Sequence, residues 1–159
     1  MLSALAAIRM QTIKMDTNQE FKDKLNKLIL HWRSQGIKLN TGISIDNIRN
    51  LEIDFGLQFE EAFSNYLTSV NGFVDFESDE AWFSFWSQAR MREENEDGSH
   101  PKEIMWFSDH SINLCSFGFH KTDKKIYTHY QTIGGVEFIA NSFTEFVDLY
   151  LEDAYLLLR

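Results

Sequence analysis

A single cysteine, Cys115, is all the thiol chemistry available to this chain of 159 residues. One cysteine closes no intrachain disulfide and builds no thiolate zinc cluster. Its neighbours Leu114, Phe117 and Phe119 point to a buried, inert thiol in a reducing compartment. Proline is as scarce, with Pro101 alone, so no proline-rich linker or spacer is present. Basic residues are also short: 15 Lys and Arg stand against 24 Asp and Glu, for a formal net charge of -9. That balance repels phosphate, which argues against nonspecific nucleic-acid binding and against docking on an anionic membrane, and it favours a basic protein partner. No run approaches the roughly twenty apolar residues that a membrane span requires. The apolar stretch from Leu2 to Ile8 has no basic residue before it and no small-residue cleavage site after it, so it does not read as a secretory signal. Arg9 and Lys14, with no acid before Asp16, give a faint resemblance to a mitochondrial leader, but the stretch is short. A cytoplasmic protein is expected, with residues 1–16 an extension outside the core and residues 17–159 a single domain.

What the chain has in abundance is aromatic residues: fourteen Phe, five Tyr and four Trp, within a hydrophobic content of 43%. Such a domain is stabilised through aromatic packing. Thr17 and Glu20 have capping-box spacing, and Phe21, Leu25, Leu28, Ile29 and Trp32 follow at helical period until Gly36. Ser44 caps a second predicted helix bearing Ile45, Ile48, Leu51 and Phe55, which Gly56 ends. A third carries Phe59, Phe63, Tyr66, Leu67 and Val70, and Asn71-Gly72 is read as its C-cap. Beyond this point the period shifts towards two. Strands are predicted at Phe73–Phe76, Trp82–Trp86, Ile104–Ser108, Leu114–Phe119, Ile126–Tyr130 and Val136–Ala140, with turns at Lys121–Lys125 and Gly134-Gly135. Gln88 to Pro101 reads as a loop that opens with a helical turn at most. A second capping box, Ser142 and Glu145, starts a closing helix with Phe143, Phe146, Val147, Tyr150 and Leu151 on its apolar face. Helices, then a strand meander, then a helix give an α+β fold with a largely antiparallel sheet.

Catalytic and ligand motifs are absent. There is no phosphate-binding glycine loop, no dinucleotide fingerprint, no nucleophile elbow and no H-E-x-x-H helix. His31, His100, His110, His120 and His129 do not fall at metal-ligand spacing, and D-F-E-S-D-E lacks the glycine and closing glutamate of a calcium loop, so no cofactor or metal is expected. The enzyme readings that remain use Asp109, His110 and Ser111, or His120 with His129 across a hairpin, but histidines on strands more commonly serve structure. Trp82, Phe83, Phe85 and Trp86 are read as core, because base stacking accompanies a basic groove. Two acidic clusters remain as partner-binding candidates: Asp75, Glu77, Asp79 and Glu80, then Glu93, Glu94, Glu96 and Asp97. Solvated loops are the bland explanation, and steering of a basic partner is the functional one.

The stretch from Ile48 to Gly72, IRNLEIDFGLQFEEAFSNYLTSVNG, resembles the opening signature of the SUKH superfamily, which includes Smi/Knr-type proteins. Glu52, Gly56, Phe63, Tyr66, Leu67, Asn71 and Gly72 match that signature, and Phe59-Glu60 replaces the family's Leu-Pro. Downstream, WFSFWS, MWFSD ending at Asp109, and IANSFTEFVDLYL resemble later family segments, so the likeness spans about residues 19–153. It implies a non-catalytic binding module. Many bacterial members are similar to immunity proteins that neutralise a cognate toxin domain, often a nuclease and hence basic. Eukaryotic members act as regulatory interaction proteins. A regulatory scaffold of the same fold and a small hydrolase using His120, His129 or Asp109 stand as alternatives.

Overall fold

Two alternations in the sequence, one near 3.6 residues and one of two, become five helices and seven strands among residues 3–74 and 76–158, which the computed structural model describes. In chain order these are α1 (Ala4–Ser34), β1 (Leu39–Thr41), α2 (Ile45–Phe55), α3 (Glu61–Ser69), β2 (Val70–Phe73), β3 (Phe83–Phe85), α4 (Gln88–Glu96), β4 (Ile104–His110), β5 (Cys115–His120), β6 (Ile126–Tyr130), β7 (Val136–Ala140) and α5 (Phe143–Asp153). A 3-10 turn at Ala154–Leu157 follows. The fold is α+β. Strands β3 to β7 form an antiparallel meander in sequence order, and β1 pairs with β2 in a separate antiparallel ribbon.

Period-two patterning gives the meander two unlike faces. Phe83, Phe85, Phe107, Phe117 and Phe119 lie on the side covered by helices, where they meet Trp32 of α1, Phe63 of α3, and Phe146 and Tyr150 of α5. Ring pairs of this kind contribute about 0.5–1.5 kcal/mol each beyond the area they bury. Trp32 is central to the cluster, with its ring centroid 4.9 Å from Phe73 and 4.7 Å from Phe85. Its indole donates to Tyr150 Oη at 2.8 Å, and the Tyr150 hydroxyl donates in turn to Asp79. Lys24 Nζ, 2.9 Å from Asp148, fastens α1 to α5. Cys115 is buried with its Sγ 2.9 Å from Thr128 Oγ1, and burial pushes the thiol pKa up.

Several boundaries differ from expectation for identifiable reasons. Helix α1 does not begin at Thr17: Ser3 caps it, and the Thr17 hydroxyl donates to Ile13 O within the helix. Ala4, Ala6, Ala7, Met10 and Lys14 are strong helix formers with no Gly or Pro among them, so the helix runs through the internal cap signal. Its core contacts still begin at Phe21, while Leu5, Ile8, Met10, Ile13 and Met15 are exposed. Ser142 Oγ accepts from Glu145 N as expected, but the Glu145 carboxylate returns to Asn141 N rather than to the cap residue.

Asn71-Gly72 is not a helix cap. Helix α3 ends at Ser69, Val70 is already extended, and both residues lie in β2. The predicted strand at Phe73–Phe76 accordingly shifts back to Val70–Phe73. Gly72 has φ 65°, and a Cβ there would sit 2.4 Å from the Trp86 carbonyl carbon, so glycine is required for close approach of two backbones. The segment read as a loop, Gln88–Pro101, opens with the nine residues of α4. Ser87 Oγ accepts from Arg90 N as its N-cap, and Asn71 Oδ1 accepts from Gln88 N at the same end.

Gly36 shares the left-handed conformation of Gly72 but has open space where a Cβ would lie. Gly36→Ala should therefore cost roughly 1 kcal/mol and Gly72→Ala about 3 kcal/mol or more in urea denaturation. Equal losses would mean that the Trp86 contact carries no weight.

Candidate functional site

The second face of the meander carries a polar row beside the indoles of Trp86 and Trp106. Ser84, Asp109, Ser116 and His129 are cross-strand partners from β3 to β6 and so form one row across the sheet. Helix α4 covers this row through Arg90, which is buried. Arg90 Nη1 donates to Ser84 Oγ at 3.0 Å, Nη2 to Asp109 Oδ1 at 3.1 Å and Nε to Glu94 Oε1 at 3.3 Å. Asp109 also accepts from the Trp86 indole and from Asn113 N, and the Asn113 amide donates to both oxygens of Glu94. One guanidinium thus serves two carboxylates, and each charge is hydrogen-bonded, which buried charges require.

Above this network two loops face each other. The first runs from β2 to β3 around Asp79, whose Oδ1 accepts from Ala81 N and Phe83 N. The second, Ser111–Asn113, joins β4 to β5 and is held by the Asn113–Asp109 bond. Ser111 N donates to Trp82 O at 2.9 Å and links the two loops. Between them lies a cleft of about 100 Å³, walled by Phe76, Glu77, Trp82 and Ile112, with Ser84, Arg90 and Asp109 at its floor. The Arg90 guanidinium carbon lies 5.5 Å from the Phe76 ring centroid and 4.9 Å from that of Trp86, within range of cation–π attraction.

The backbone of the walls is strained. Phe76, Trp82, Ser111, Ile112 and Asn113 all have φ between 53° and 67°. A non-glycine residue there costs on the order of 1–2 kcal/mol, and a β-branched one such as Ile112 is least suited. Burial offsets little of this at Phe76, Trp82 and Ile112, which are 81%, 59% and 83% exposed. Trp82, expected in the core, is therefore on the surface, where its left-handed backbone takes it out of β3.

The acidic candidates divide. Asp75 lies outside the described residues. Glu77 lines the cleft and accepts from Lys38 N at 2.8 Å. Asp79 is buried and committed to its loop and to Tyr150, so it is structural rather than a partner contact. Glu80 is exposed. In the second cluster Glu93 and Glu96 are exposed on α4, while Glu94 belongs to the Arg90 network. Asp97 is exposed, and hydrogen bonds from the Ser99 hydroxyl and backbone hold its carboxyl below the usual range. The residues on which the SUKH resemblance rests are mainly scaffold: Glu52 Oε1 accepts from Phe59 N at 2.8 Å, Gly56 is the left-handed cap of α2, and Asn71 anchors α4.

No family model and no curated protein matches this chain. The catalytic alternatives must therefore be judged on geometry. His120 lies against Tyr127, whereas His129 Nδ1 is 2.8 Å from Gly135 O and its ring is 6.1 Å from His100, so His120 and His129 are not brought together. Asp109 and His110 are successive strand residues on opposite faces, His110 lying 4.9 Å from the Phe83 ring. No group of three or more His, Cys, Asp or Glu among the described residues could hold a metal ion, and no helix there is long and apolar enough to cross a membrane. Sequence reasoning missed Arg90, Phe76 and Ile112. Ser87 before Q-A-R-M-R-E-E was the available signal for α4, and nothing local marked the other two.

Two outcomes follow from the buried charges. Arg90→Met, which leaves Asp109 buried without its cation, should cost about 3–5 kcal/mol in urea denaturation. Burial depresses the pKa values of His100 and His110, so the unfolded chain takes up protons first. Stability should then fall as pH drops below roughly 6.5, and His100→Gln should flatten that slope. An unchanged slope would remove His100 as a contributor.

Proposed function

We propose that this chain is a non-catalytic protein-binding module of the SUKH type, acting as a cytoplasmic immunity protein that neutralises a cognate toxin domain by occupying it. The observation that carries the reading is the cleft. Its exposed walls are apolar and strained, and its polar floor is engaged in internal hydrogen bonds rather than aimed at a substrate. Binding hot spots favour large side chains of this kind, with polar groups at the rim. Glu77, Glu80, Glu93 and Glu96 add negative charge at exposed or half-buried positions. An enzyme that grips phosphate carries a basic surface, and acids of this distribution steer towards one.

Co-expression with the toxin domain encoded beside this gene should restore survival, and the two proteins should co-elute on size exclusion. Unchanged killing with no complex would reject the reading. Absence of any neighbouring toxin gene would favour a regulatory scaffold. Glu93→Lys combined with Glu96→Lys, which spares the Arg90 network, should slow association about tenfold at low salt and flatten its salt dependence. Identical rates would leave these two glutamates as solvated surface.

A further inference from the structure

Single exposed apolar side chains are ordinary on a protein surface. Phe76, Trp82 and Ile112 differ because they converge on one cleft and because each has a backbone that glycine would adopt without strain. At these positions the side chain is disfavoured by the fold and left in water by the fold. Apart from the contact of the Phe76 ring with Arg90, what these side chains contribute must therefore come from outside the chain. The charges around the cleft are unequal: Glu77 on the wall, with Asp109 and Glu94 in the floor network, outnumber Arg90. An acidic loop or a phosphate backbone would meet net negative charge, and a cleft of about 100 Å³ has room for one side chain rather than for a helix.

We infer that this cleft anchors a single aliphatic or aromatic side chain from a loop of a basic protein, with a flanking Arg or Lys side chain of that loop facing Glu77 on the cleft wall. The inference rests on the binding-module reading above and needs no toxin to be the partner. The apolar side chain fills the space between Phe76, Trp82 and Ile112 and displaces water from all three. The flanking cation finds the Glu77 carboxylate already held by Lys38 N, which limits the ordering cost of binding.

The test uses three disulfide-cyclised loop peptides: one with Leu between arginines, one with Ser in place of that Leu, and one with Glu in place of the arginines. Trp82 reports on the cleft selectively, because Trp32, Trp86 and Trp106 are buried with their indole N–H groups donated to Tyr150, Asp109 and Pro101. In NMR the Leu-Arg peptide should shift the Trp82 indole resonance saturably, and the Ser and Glu peptides should bind at least tenfold more weakly. Ile112→Gly should also weaken the Leu-Arg peptide at least tenfold while raising the urea midpoint, since glycine relieves the strained turn. A purely structural Ile112 would not lose binding as stability rises. The inference is overturned if the Ser or Glu peptide binds as tightly as the Leu-Arg peptide, if Trp82 does not shift at millimolar peptide, or if Ile112→Gly binds unchanged. These peptides contain no toxin, so their failure is separate from failure of the survival assay.

Discussion

The contact between Arg90 and Asp109 is the constraint on which the polar side of this protein depends. The aromatic face of the meander finds partners in three helices, but the row from Ser84 to His129 needs hydrogen bonds and a counter-charge. Helix α4 supplies both at Ser84 and Asp109, while His100 pairs with Ser116 at 2.9 Å and Gly135 O with His129 at 2.8 Å. Of the α4 sequence, QARMREENE, only Arg90 and Met91 are buried, while Asn95 donates to Trp106 O and accepts from Trp106 N, both at 2.8 Å, and Arg92 pairs with Asp54. Burying one Met contributes on the order of 1.5–3 kcal/mol, so the helix is oriented chiefly by polar contacts: its guanidinium, the Asn95 pair and the caps at its N-terminus. The same pair fixes the Ser111–Asn113 turn through Asp109 and sets the floor of the cleft. Buried ion pairs add little net stability compared with apolar packing, so the role of this one is geometric.

The acid excess acquires structure once these contacts are known. Asp79, Glu94 and Asp109 are internal ligands for N–H, O–H and guanidinium groups, and their charges are answered within the fold. Glu80, Glu93, Glu96 and Asp97 are exposed and free to shape the field around the molecule. A net charge of -9 is therefore a sum of two populations, and only the second is available to steer a partner.

Much of the fold was legible because its signals are local. Ser44 and Gly56 bracket α2, Gly134-Gly135 turns β6 into β7, and Phe143, Phe146 and Tyr150 repeat at helical spacing. Legibility failed where a distant residue decided the outcome. Gly72 is explained by the backbone of Trp86 and the surface position of Trp82 by a turn closed from Ser111, whereas the start of α1 was obscured by a local cap signal that the helix runs through. Glu77, Glu94 and Asp109 were singled out in the sequence, but it does not show that Arg90 joins the last two. The exposed walls of the cleft were illegible too: Trp82 reads as core in WFSFW, and nothing local to Phe76 or Ile112 marks their positive φ.

Strand order in the meander has a kinetic consequence. Strands β4 to β7 are joined by short turns, so they can grow by successive hairpins whose loop-closure entropy is small, and β3 joins β4 across the segment that holds α4. The aromatic face behaves otherwise. Trp32 meets Tyr150 across 118 residues and Lys24 meets Asp148 across 124, so the sheet is sealed only when the two ends of the chain come together. During synthesis the hairpins exist before α5 has been made, and Phe83 and Phe117 lack the cover of Tyr150 and Phe146 for that interval. The newborn chain is then most prone to aggregate, and release of its last helix ends the exposure.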